Sequence, residues 1–160
     1  MNVEPHGPDR LVISEDQSRL DLDRCFAWLA SSYWATGRSR DVMERSFAGS
    51  RVFGAYDVDG RQVGLARAVT DGATFCWIAD VFVDDGERGR GIGTWMVGHL
   101  VEILKRDGVN RFLLGTRNAH SVYTKVGYAA PRVPEIYMDL DERPTRPTAA
   151  DVDPAMRTPC

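Results

Sequence analysis

The residues Glu87-Arg88-Gly89-Arg90-Gly91-Ile92-Gly93-Thr94 bring glycines and arginines together in one short stretch. The chemistry they suit is the binding of an anion. Just upstream, Asp80-Val81-Phe82-Val83 has the β-branched and aromatic character of a strand. Just downstream, Ile92, Trp95, Met96, Leu100, Ile103 and Leu104 recur at helical spacing. The stretch therefore joins a strand to a helix N-terminus, where amide N–H groups without intrahelical partners and the positive end of the helix dipole attract negative charge. Glycine allows a phosphate to approach the backbone closely, and Arg88 and Arg90 add full charges.

Other phosphate loops fit less well. A nucleotide P-loop would need a lysine and a hydroxyl where Ile92 and Gly93 stand. A dinucleotide fingerprint would need its third glycine one position later and an acid closing the next strand, which here ends in Gly115-Thr116. A mere connecting turn would gain nothing from so many glycines, each of which raises the entropy lost on folding. The pattern that fits is Arg-x-x-Gly-x-Gly, from Arg88 to Gly93, followed later by Asn118-Ala119-His120-Ser121-Val122-Tyr123-Thr124-Lys125-Val126-Gly127-Tyr128. The two blocks, in this order, resemble the acyl-CoA pyrophosphate loop and the late motif of the GNAT superfamily of N-acyltransferases. The likeness is sharp over residues 80–128 and extends by strand order to 51–140. One departure is Asp85-Gly86-Glu87, in place of the proline and aromatic often found before the arginine.

The resemblance implies an α+β fold whose mixed, mostly antiparallel sheet has one parallel strand pair splayed at an acyl-CoA cleft. It implies acetyl-CoA as co-substrate, no metal, and a primary amine of a small molecule or peptide as acceptor. The pyrophosphate would meet the backbone of Gly89, Arg90, Gly91, Ile92, Gly93 and Thr94 beside Arg88. Pantetheine would pair with Phe82 and Val83, and Asn118 and Tyr123 would border the cofactor from the second block. Tyr123 matches the motif's general acid: a phenol of pKa ~10 protonates the departing thiolate of a thiol near ~8.5 with only a small uphill step. Asp80 is the candidate base, although it could equally hold a sheet hydrogen-bond network. Tyr33, Trp34 and Arg38 occupy the acceptor-loop region, with Glu135 beside the last strand as a further acceptor contact and weaker base. The alternative function is an acyl-CoA sensor or interaction module without turnover.

Composition narrows the field further. A chain of 160 residues, 43% hydrophobic and 27% charged, suits one domain with a sizeable core. The formal charge of -3 offers no overall field for nucleic acid or an anionic membrane. No apolar run approaches the ~20 residues of a membrane span and the N-terminus lacks a signal pattern, so a cytoplasmic protein is expected. Cys25, Cys76 and Cys160 are too scattered for a disulfide framework or a zinc site, and His6, His99 and His120 lack ligand spacing. A homodimer is carried as an expectation without a residue pattern behind it.

The elements that must position these residues follow in order. A short strand is expected over 10–13, then a helix from about Asp21, as N-cap or first-turn acid, through Leu22, Cys25, Phe26, Trp28, Leu29 and Tyr33. A second helix is expected over 39–48 with Ser39 as N-cap and Gly49 as C-cap. Strands over 52–58, 62–70 and 74–83 are separated by Asp59-Gly60 and Asp71-Gly72, a pairing that suits tight hairpin turns. The long helix is expected to run to Asp107, followed by a buried strand at 111–115, a short helix at 119–126 and a last strand at 135–140. Residues 1–140 are read as a single catalytic domain. Residues 141–160, rich in proline and acids, read as a flexible tail.

Overall fold

The computed structural model describes residues 7–143. Nearly all of the expected 141–160 tail, with Cys160, and His6 at the other end, lie outside them. The chain divides into two compact units on either side of Gly115.

The first unit holds a sheet of order β1-β2-β3-β4-β5: β1 (Val12–Ser14), β2 (Arg51–Tyr56), β3 (Gln62–Thr70), β4 (Cys76–Val83) and β5 (Phe112–Leu113). The pairs from β1 to β4 are antiparallel, and β4 pairs parallel with β5, as a mixed α+β plan requires. Helices α1 (Leu22–Ser31) and α2 (Arg40–Ala48) begin where their caps predict: the Asp21 carboxylate accepts from the Arg24 amide, and the Ser39 hydroxyl accepts from that of Val42. Ser39→Ala is expected to cost about 1 kcal/mol, a fall of about 2–4 °C in melting temperature measurable by circular dichroism.

Leu65 belongs to the core cluster that Cys25, Trp28 and Leu29 of α1 form with Met43 and Phe47 of α2. Its neighbour Gly64 is met from the other side by Met96 Sδ of α3 (Ile92–Arg106). Adjacent strand residues point to opposite faces, so the sheet is covered by α1 and α2 on one face and by α3 on the other. Among the described residues no helix is long and apolar enough to cross a membrane.

The hairpin loops are longer than the tight turns expected. Between β2 and β3 the chain wraps around Asp57, and between β3 and β4 Asp71 accepts from the amides of Ala73, Thr74 and Phe75 and from the Thr74 hydroxyl. The Thr74 hydroxyl, followed by those amides, holds the Asp71 carboxyl well below the usual carboxylate range.

The second unit holds α4 (His120–Thr124), closed by hydrogen bonds from the Val126, Gly127 and Tyr128 amides. The strand expected over 135–140 does not form. Pro134–Ile136 is a 3-10 turn, and Ile136, Met138 and Leu140 beyond it are 68%, 98% and 88% exposed. Alternating apolar residues favour extended backbone, but a strand also needs a partner strand, and among the described residues the sheet ladder does not include this segment.

Candidate functional site

The anion loop lies where β4 ends. Asp84 caps a 3-10 turn (Asp85–Glu87), and the chain then enters α3 through Gly89 (φ 81) and Gly91 (φ 77), both left-handed. Only glycine adopts these angles readily, and an added Cβ at either position would meet nothing within 4 Å. Conformation rather than crowding selects glycine here, and the space beside both positions is open. Gly91 is the N-cap of α3 and no side chain caps the helix. The first intrahelical bond is Trp95 N–H to Gly91 O, so the amides of Ile92, Gly93 and Thr94 have no intrahelical acceptor. Ile92 buries its side chain in the core, which leaves its backbone for the loop.

The two arginines both lie beside acids. Arg90 is engaged by Asp9 and Glu87. Arg88 donates through Nε to the Val83 carbonyl at 3.2 Å, pairs with Asp85 at 2.7 Å and lies over the Phe82 ring. With acids beside both arginines, the attraction for an anion comes mainly from the helix end and its amides.

β5 reaches β4 only at Cys76↔Phe112 and Trp77↔Leu113, whereas β4 continues to Val83. From residue 78 on, that edge of β4 lacks a parallel partner among the described residues, which is an opening an extended ligand could pair with. A bulge interrupts the other ladder here. Leu65 faces Phe82 and Arg67 faces Ala79, so β4 carries one residue more than β3 between the two pairs. Asp80 sits in this bulge at φ 51, an uncommon conformation that aspartate tolerates better than most residues.

Asp80 occupies an environment that sequence reading could only half anticipate. Its side chain is 1% exposed, and Oδ2 accepts from Arg38 Nη1 at 2.8 Å and from Arg67 Nε at 2.7 Å. Oδ1 is sealed from solvent with no hydrogen-bond donor among the described residues. A base must reach the proton it removes, and neither oxygen is presented to an external amine. The geometry therefore favours the network role over the base role. Arg67, which also donates to the Ser50 hydroxyl at 3.1 Å, is a site residue that the sequence motifs do not single out. Its signal was a lone charge in the apolar run Leu65-Ala66-Arg67-Ala68-Val69.

Arg38 closes the loop between α1 and α2 that also carries Tyr33 and Trp34, whose rings meet edge to face at 5.0 Å. Trp34 packs on the core cluster, and its indole N–H is sealed without a partner among the described residues. In the second unit, Tyr123 is half-buried with its ring edge-on to Tyr128 at 5.9 Å, Asn118 is exposed, and Glu135 is exposed in the 3-10 turn. Burial pushes the thiols of Cys25 and Cys76 up to about 11, which leaves both protonated and unreactive near neutral pH. Among the described residues no cluster of His, Cys, Asp and Glu could hold a metal ion.

A looped helix end, a strand edge released by its neighbour and a late tyrosine helix are the parts the resemblance predicts, and residues 17–128 match the family model described as Acetyltransferase (GNAT) family. The chain belongs to the GNAT acetyltransferase family. A crystal structure from Xanthomonas campestris pv. campestris, described as an acetyltransferase of the GNAT family, superposes with a TM-score of 0.78 at 33% identity over 84% of this chain and 95% of that one. A Gibberella zeae protein described as an acetyltransferase is 31% identical over 113 residues, 59% of this chain and 64% of its own length. The match therefore spans under two thirds of that relative. N-acetylglutamate synthase from Neisseria gonorrhoeae, solved with coenzyme A and N-acetyl-glutamate, shares the fold at a TM-score of 0.62 and 20% identity over 73% of this chain and 28% of that one.

Proposed function

We propose that this protein transfers an acetyl group from acetyl-CoA to a primary amine by direct attack. The observation that carries this reading is the uncapped N-terminus of α3, entered through left-handed Gly89 and Gly91 directly after the free edge of β4, in a chain of the GNAT family. Acetyl-CoA supplies the activated thioester. The amides of residues 89–94 hold its pyrophosphate, and the β4 edge at Phe82 and Val83 aligns its pantetheine arm. A diphosphate held by a helix end requires no cation.

The amine must lose a proton before it attacks, the carbonyl oxygen gains charge as it does so, and the sulfur leaves as a thiolate. Tyr123, assigned by motif, gives its proton to that sulfur. Backbone N–H groups at the β4 bulge stabilise the oxygen. No side-chain base is assigned to Asp80.

Acetyl-CoA at about a hundred times its dissociation constant is expected to stabilise the protein by about 2.7 kcal/mol, a rise of about 5–10 °C in thermal midpoint. Gly91→Val forces a β-branched residue into φ 77 and is expected to lower the midpoint of the free protein and to abolish most of this rise. A wild-type protein unmoved by acetyl-CoA in differential scanning fluorimetry would rule the reading out.

A further inference from the structure

The Arg38–Asp80–Arg67 cluster is out of charge balance. Both guanidiniums converge on Oδ2 of one carboxylate, and the other group on Arg67, Ser50 Oγ, is neutral. The side chains of Arg38, Arg67 and Asp80 are 21%, 12% and 1% exposed, so the unmatched positive charge is largely withdrawn from water. A charge so placed is costly unless an opposite charge meets it.

Arg38 is where that charge can be met. A guanidinium carries five N–H donors, and among the described residues the one hydrogen bond made by the Arg38 side chain uses Nη1 alone. It is the more exposed of the two arginines, and it lies in the loop between α1 and α2. The Arg38 guanidinium therefore retains donors that suit a ligand rich in acceptors. Asp80 fixes one edge of the guanidinium by a 2.8 Å bond and leaves its planar fork oriented. A fork held this way matches a carboxylate through two parallel hydrogen bonds. The position is also suited to the chemistry. At ~3.3 Å per strand residue, Asp80 lies only about 10 Å along β4 from Val83, on the stretch that β5 leaves unpaired.

We propose that Arg38 is the specificity determinant of the acceptor site and that the acceptor is an amine carrying a carboxylate, such as a free amino acid. This rests on the acetyltransferase reading of the same site. Arg38 grips the carboxylate, Asp80 holds Arg38 in place, Arg67 anchors Asp80, and the amine is left free to reach the β4 edge.

The test is a thiol-release screen with acetyl-CoA, in which each amino acid is compared with its amide and its decarboxylated amine. At least one amino acid is expected to be acetylated with a kcat/KM on the order of tenfold or more above both analogues. In Arg38→Gln the KM for that amino acid is expected to rise by about tenfold or more, the two analogues to be little affected, and the preference to vanish; Arg38→Lys, which keeps the charge without the fork, should recover part of it. Thermal stabilisation by acetyl-CoA, measured on each variant, reports that the protein is folded and the donor site intact. The proposal is overturned if the decarboxylated amines serve as well as the amino acids, if the preference survives in Arg38→Gln, or if acetyl-CoA binds and no carboxylated amine is acetylated. Absence of acetyl-CoA binding to the wild type instead overturns the acetyltransferase reading itself.

Discussion

Asp80→Asn is expected to lower the thermal midpoint by about 6–12 °C. The substitution keeps the size of the side chain and its tolerance of the left-handed conformation at φ 51, and removes only the charge. Two guanidiniums that now share Oδ2 would then face each other with no anion between them, at side-chain exposures of 21% and 12%. Breaking a buried ion pair by deleting one partner costs about 3–5 kcal/mol, and the partial exposure of the arginines argues for the lower end, about 3 kcal/mol. In a protein of this size each kcal/mol moves the midpoint by about 2–4 °C. The contrast is Asp21→Asn, which loses the 3.5 Å pair with Arg24 at exposures of 31% and 50%, where an ion pair contributes about 0–1 kcal/mol. A midpoint within about 1 °C of wild type for Asp80→Asn would show that the carboxylate is not what holds the arginines, and would restore it as candidate base.

Tyr123→Phe is expected to lower kcat by about 10²–10³, with little change in the acetyl-CoA concentration needed for half-maximal thermal stabilisation. The phenylalanine retains the ring that stands edge-on to Tyr128 and removes the hydroxyl alone. Positioned proton transfer contributes about 10²–10⁴ to rate, and the lower part of that range is appropriate because a thiolate is itself a tolerable leaving group. Stopped turnover should therefore separate from intact binding. A variant that turns over within about twofold of wild type would remove Tyr123 from the reaction.

Much of this was open to reading before any coordinates. The N-caps Asp21 and Ser39, the span of β3 and the entry to α3 follow from residue types within a few positions of each other. Local sterics and capping decide such features, so local sequence suffices. The anion loop belongs to the same class, because left-handed glycines before an amphipathic run need no distant partner to be recognised. The partners of its arginines were out of reach for the opposite reason. Arg90 is met by Asp9, far away in the chain, and no local rule pairs them.

The last strand shows the same limit. Residues 135–140 alternate as a strand should, yet alternation describes a face and says nothing of a neighbour to complete the ladder, and the segment stays outside the sheet. The charged cluster is the sharpest case. Arg38, Arg67 and Asp80 come from a loop and two strands, separated by 42 and 13 positions from Asp80, and only the folded sheet with its bulge brings them to one carboxylate oxygen. The amino-acid sequence by itself determined the family, the donor loop and the order of the elements, because these are written in local spacing. Tertiary structure alone decided which charges meet and which remain unmatched, since electrostatic balance in a buried site depends on distance and desolvation, neither of which exists until the chain has folded.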